Sequence, residues 1–141
     1  MADFYVSVGE DVMARQVADM VNRHNKWYTK FSAESLLMAQ GRYFVELLGT
    51  RVVACAGAVQ EYPTLSKIMH VCVLPEFRRQ KLASKLAEMA IANCSTEHVY
   101  MTVREDNMPS LRMAESLGFS FVRKDWFKNH YTYTLGRRRI R

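Results

Sequence analysis

Arg78, Arg79 and Lys81 stand close together between an apolar run, Val71-Cys72-Val73-Leu74, and a helical pattern that carries Leu82, Ala83 and Leu86. Pro75 marks a turn between the two. The segment reads as a buried strand, a turn, a cationic loop and an amphipathic helix. A helix that starts in such a loop aims several unpaired N–H groups at one spot, backed by the positive end of its dipole. That is an anion site, and flanking arginines suit it to a phosphate or pyrophosphate. The alternative is a solvated basic helix start.

A second block follows. His98-Val99-Tyr100-Met101-Thr102-Val103 reads as a strand, then come Arg104-Glu105-Asp106-Asn107, Ser110, Ala114 and Glu115-Ser116-Leu117-Gly118-Phe119. The first block resembles the acyl-CoA-binding signature of the GNAT N-acetyltransferase superfamily: a strand, Val-x-Pro, then Arg/Gln-x-x-Gly-x-Gly/Ala at a helix start. Arg78, Lys81 and Ala83 occupy its three marked positions, so a lysine stands where the family has its first glycine. The second block resembles the family's strand, Asn-x-x-Ala/Ser, short helix and Gly-Phe.

The resemblance implies acetyl-CoA as co-substrate, no metal, and transfer of its acetyl group to an amine by direct attack. The pyrophosphate would lie on the amides of Arg79, Gln80, Lys81, Leu82, Ala83 and Ser84, with Arg78 and Arg79 as charge partners. The backbone of Val71, Cys72 and Val73 would face the thioester carbonyl as it becomes an oxyanion. The pantetheine arm would lie along the same edge. Asn107, with Ser110 after it, would hold that arm, or Asn107 would cap the next helix. Lys81 fits this scheme if its backbone has ordinary helical dihedrals.

The proton chemistry departs from the family. The tyrosine that usually protonates the leaving thiolate would stand seven residues after Asn107, where this chain has Ala114; Tyr100, Tyr131 and Tyr133 are substitutes. The central strand offers no carboxylate, so His70 becomes the candidate base, since its ordinary pKa lies near neutrality. Its other reading is a packed strand histidine. Glu61, beyond the third strand, is a second candidate. Acceptor recognition falls to Asn22–Lys30, with His24, Lys26, Trp27 and Tyr28, and to a second aromatic loop, Asp125–His130. Rings with cations suit a nucleotide by stacking and phosphate contact, or make an ordinary helix junction.

These residues need a scaffold, and the chain supplies one domain over 1–136. Residues 3–8 alternate as a first strand. Asp11–Asn22 puts Met13, Val17, Met20 and Val21 on one helical face. Ser32 caps a second helix that Gly41 ends. Tyr43–Leu48 and Arg51–Gln60 form a hairpin around Leu48-Gly49-Thr50, with Gly57 marking a bulge or a close backbone approach. Lys67–Leu74 is the central strand and Arg78–Asn93 the helix after it. Phe121–Lys124 and Tyr131–Leu135 close the sheet. The order matches the GNAT layout, implying an α+β fold with a mixed, mostly antiparallel, splayed sheet and flanking helices.

Composition narrows the setting. The 141 residues suit one packed domain, and 49% hydrophobic with 24% charged residues is ordinary for a globular protein. The net charge is +6, but Arg137, Arg138, Arg139 and Arg141 supply four of the 20 basic residues, leaving 16 against 14 acids. The body is near neutral and the excess reads as a basic tail over 137–141. That tail is a solvated terminus, a nucleic-acid contact, or a brace for the cofactor or a subunit interface. No stretch approaches the ~20 apolar residues of a membrane span. The start lacks a signal-peptide pattern, and three cysteines without metal spacing suit a reducing cytoplasm. A monomer and a homodimer both fit. Three functions stay open: an acetyltransferase acting on a small-molecule or protein amine, a GNAT-fold enzyme modifying a nucleobase or nucleic acid, and a non-catalytic CoA- or nucleic-acid-binding module.

Overall fold

The computed structural model describes residues 2–5, 11–24 and 42–139. Strands are β1 (Ala2–Tyr5), β2 (Arg42–Leu48), β3 (Arg51–Tyr62), β4 (Leu65–Val73), β5 (His98–Arg104), β6 (Ser120–Phe127) and β7 (His130–Arg138). Helices are α1 (Asp11–His24), α2 (Leu82–Ala92) and α3 (Met108–Ser116), with a single 3-10 turn at Pro75–Phe77. They form one sheet in the order β1-β2-β3-β4-β5-β7-β6. Every pairing is antiparallel except β4 with β5. The architecture is therefore the mixed, mostly antiparallel α+β sheet expected. The expected helix opened by Ser32, and residues 6–8 of the first strand, lie outside the described residues.

Alternation along the strands builds two cores, one on each sheet face. Phe44, Ala54, Ile68, Val99 and Met101 face α2, which buries Leu86, Ala87, Ala90 and Ile91 at helical spacing. Tyr43, Val45, Val53, Cys55 and Cys72 face α1, which buries Ala14, Val17, Ala18, Met20 and Val21.

The feature that matters for function lies at the centre. β4 and β5 pair only over Leu65↔His98, Ser66↔Val99 and Lys67↔Tyr100, although both strands run on. Between Cys55 and Gly57 the β3–β4 register shifts, so His70 and Val71 oppose Ala56 alone. His70 takes a left-handed φ of 54°. That is a β-bulge, and a bulge bends its strand and increases its twist. The bend steers β4 away from β5 beyond Lys67. Gly57 serves the same spot: a Cβ there would meet Tyr43 Cε1 at 2.6 Å. The bulge expected at this glycine falls on the partner strand, and the close approach is made by the Tyr43 ring rather than by backbone.

Several boundaries differ from expectation. The helix after the cationic loop starts at Leu82 rather than Arg78. Arg78 is extended, at φ −71° and ψ 166°, and Arg79 and Lys81 have φ of 66° and 60°. Lys81 lacks the helical dihedrals expected of it: it is a left-handed N-cap. Glu61 lies within β3, not beyond it. Asp125–His130 is not a loop, because Phe127 pairs with His130 and only Lys128 and Asn129 turn the chain. β7 runs through Arg138, so the arginine tail begins inside the sheet. Arg137 donates to the Leu117 carbonyl at 2.9 Å, Arg138 pairs with Glu97 at 2.8 Å, and Arg139 Nε donates to the Thr96 carbonyl at 2.6 Å. Arg137 and Arg139 thus bind carbonyls at the end of α3 and just before β5, and Arg138 pairs with a carboxylate at the surface.

Candidate functional site

The divergence of β4 and β5 opens a cavity of about 610 Å³. Lys67–Val71 line one wall and Met101–Arg104 the other, with Asn107, Ser110 and Met113 at the end where α3 begins. Thr132, Thr134, Arg123 and Asp125 extend it across β7 and β6. The space follows from alternation: Thr102, Arg104, Thr132 and Thr134 share one face of this half-sheet, while Met101, Val103, Tyr133 and Leu135 pack on the other. A polar face at a two-residue period was readable in the sequence. Lys67, Arg104 and Arg123 were nevertheless missed as site residues, whereas Asp125 falls in the aromatic segment already singled out.

His70 lines this cavity but is only 6% exposed. Its Nδ1 lies 2.5 Å from the Tyr43 hydroxyl, and the two rings stack 10° from parallel. Burial, with the nearby Lys67 charge, pulls its pKa down to about 4. Burial pushes the Tyr43 hydroxyl well up, so it stays protonated. His70 is thus a neutral imidazole at neutral pH, fixed at the bulge, combining a packed strand histidine with a cavity wall. A base near 4 facing an alkylammonium near 10.4 is about 6 units mismatched, roughly 8 kcal/mol. It is a poor base for such an amine.

The cationic loop lies at the same end of the sheet, past the C-terminus of β4. Left-handed Arg79 and Lys81 flank Gln80, whose φ is not positive. Alternation of this kind turns successive N–H groups into a concave anion nest. It leads into α2, whose first turn has no side-chain cap. The amides of Leu82, Ala83 and Ser84 thus point out of the helix start beside exposed Arg79, Gln80 and Lys81. Arg78 is partly committed, because its Nε donates to the Val73 carbonyl at 3.1 Å. Val71 lines the cavity, whereas the Cys72 side chain faces α1, with Sγ 3.7 Å from the Met20 carbonyl.

Asn107 caps α3, its Oδ1 accepting from the Ser110 amide at 3.4 Å, and it also lines the cavity. Ala114 is fully buried. Glu61 is exposed and accepts a hydrogen bond from the Tyr100 hydroxyl, and neither residue lines the cavity. Burial, then the bond to Glu61, pushes Tyr100 well up. Tyr131 stacks edge-on against Trp126, and Tyr133 against Phe121. No cysteine lines the cavity; burial raises Cys55 and Cys94, and Cys72 to about 11. No metal-binding group of His, Cys, Asp and Glu occurs among the described residues. No described helix is long and apolar enough to cross a membrane. His24 ends α1; Lys26, Trp27 and Tyr28 lie outside the described residues.

Solved structures share this fold. An N-acetyltransferase from Staphylococcus aureus Mu50 superposes with a TM-score of 0.81 at 14% identity, over 99% of this chain and 98% of that one. An aminoglycoside 6′-N-acetyltransferase complexed with coenzyme A gives 0.79 at 14% identity, over 100% and 98%. A putative acetyltransferase from Salmonella typhimurium, with its cofactor acetyl-CoA, gives 0.75 at 13% identity, over 97% and 92%. At such identities the likeness establishes the fold. No curated protein matches the sequence. The family model of the acetyltransferase (GNAT) family matches residues 10–119. That span holds the nest, the bulge and both walls of the cleft, and the chain belongs to the GNAT acetyltransferase family.

Proposed function

We propose that this protein transfers an acetyl group from acetyl-CoA to an amine by direct attack, in the cleft between β4 and β5. The observation that supports this is their order along one strand: Lys67–Val71 of β4 line the cavity, and the nest at Arg79–Ser84 follows the C-terminal end of the same strand. The pyrophosphate rests on the nest, and the pantetheine arm follows β4 toward Asn107 and Ser110. The amine nitrogen attacks the thioester carbonyl, whose oxygen turns toward the backbone at Val71–Val73. The C–S bond then breaks, the nitrogen loses a proton, and the thiolate gains one. Cysteines remote from the cavity, with raised pKa values, make an acyl-enzyme a poor alternative.

With Ala114 in the tyrosine position and His70 too weak a base for an ammonium, the nitrogen's own proton is the natural one to reach the thiolate. Steady-state kinetics of thiol release test this reading. Direct attack predicts intersecting double-reciprocal lines for acetyl-CoA and acceptor; parallel lines, with acetylated protein isolated in the absence of acceptor, would contradict it.

A further inference from the structure

We infer that the acceptor is the exocyclic amine of a nucleobase carried on phosphate, a nucleotide or a nucleic-acid strand, bound on the open face of β5, β7 and β6. This rests on the acetyl-transfer reading above and names its substrate class. Three observations converge.

The first is charge. Lys67, Arg104, Arg123 and Lys128 line the cavity against a single carboxylate, Asp125. Asp125 pairs with Arg123 at 3.0 Å, and Asp106, off the lining, pairs with Arg104 at 3.2 Å. A wall with this excess repels an alkylammonium and attracts phosphate. The second is the kind of base on offer: the lining has one carboxylate, Asp125, engaged by a guanidinium, and otherwise only imidazoles, His70 buried beside Tyr43 and His130 with Nδ1 3.0 Å from Asn129 Oδ1. Such a site suits a nitrogen already neutral at pH 7, as a nucleobase amine is. Its protonated adduct is strongly acidic and gives up its proton to the departing thiolate without a strong base. The third is apolar surface at the rim. Phe127 is 48% and Trp126 61% exposed, and both line the cavity mouth. Large rings left in water beside cations make a stacking platform for a planar base.

The balance is simple: R–NH2 and acetyl-CoA give R–NH–COCH3 and free CoA thiol, with one N–C bond formed and one C–S bond broken. No oxidant or further reactant is needed.

The test offers acetyl-CoA and the full-length chain a panel of acceptors: benzylamine and spermidine, AMP and CMP, and short single-stranded oligonucleotides of adenine and cytosine. Thiol release is followed, and acetylated nucleosides are sought by mass spectrometry after digestion. Turnover is expected in the nucleotide arms and not with the alkylamines. Mononucleotides alone turning over identifies a free nucleotide, oligonucleotides alone a strand. Arg123→Glu should weaken oligonucleotide binding at least 10-fold, leave acetyl-CoA affinity unchanged, and reduce the salt dependence of binding. Alkylamine turnover with inert nucleotides overturns the inference while leaving acetyl transfer standing. Loss of acetyl-CoA affinity in Arg123→Glu, with oligonucleotide binding intact, also overturns it, because the cations would then serve the donor. No thiol release with any acceptor removes the transferase reading and this inference together.

Discussion

At the scale of single residues, backbone conformation separates what Lys81 does from what its charge does. A non-glycine residue in the left-handed region costs roughly 1 kcal/mol, and Lys81 sits there at φ 60°. Lys81→Gly should therefore stabilise the fold by about 1 kcal/mol in urea unfolding, while weakening acetyl-CoA binding by removing a cation beside the phosphate site. Unchanged stability would show that the strain is relieved elsewhere. His70 makes a different prediction. Its folded pKa, near 4, lies below the ordinary 6.5, so the unfolded chain binds the extra proton between those values. Stability held above pH 6.5 is lost as pH falls, by roughly 2 kcal/mol at about pH 4.5. His70→Asn, which tolerates a positive φ, should lose that part of the acid sensitivity. Equal pH dependence in the two proteins would mean the imidazole is not held neutral by the fold.

At the scale of elements, the bulge is the part that positions the chemistry, and Gly57 gives access to it. Gly57→Ala would push a methyl group into the buried Tyr43 ring, which holds His70. Overpacking of this kind costs about 1–3 kcal/mol, and here it should also lower turnover because the ring carries the bulge with it. Urea unfolding of this variant beside its thiol-release rate checks both parts; full stability with full activity would detach the bulge from catalysis. The sequence made the bulge half legible, since Gly57 flagged a bulge or a close approach without saying which partner it met. The succession of strands and helices along the described chain, an anion site at the start of α2 and a cap at Asn107, as one of two roles, were readable because each depends on local pattern. The left-handed Lys81 was not, since side-chain type disfavours that conformation and only the tertiary setting imposes it. The C-terminal arginines misled for a related reason. A cationic run reads as solvated unless its carbonyl partners, Leu117 and Thr96, are known. Deleting residues 137–141 should accordingly lower the unfolding midpoint, beyond any change in charge; an unchanged midpoint would return them to the role of a tail.

At the scale of the whole molecule, two features follow one another along β4. The nest at the start of α2 lies at the C-terminal end of β4, and the cavity opens where β4 leaves β5. Either feature alone is common; together they set a phosphate site and a reaction chamber along one strand. Calorimetric titration of acetyl-CoA into the wild type and Arg79→Glu tests that union most directly. Glutamate at φ 66° is no more strained than arginine, so the fold should be kept while a charge reverses beside the phosphate site. Affinity is predicted to fall at least ~10-fold, about 1.4 kcal/mol, as expected for one lost charge-assisted contact. Equal affinity in the two proteins would contradict the placement of the pyrophosphate on this loop, and with it the path of the acetyl group into the cleft.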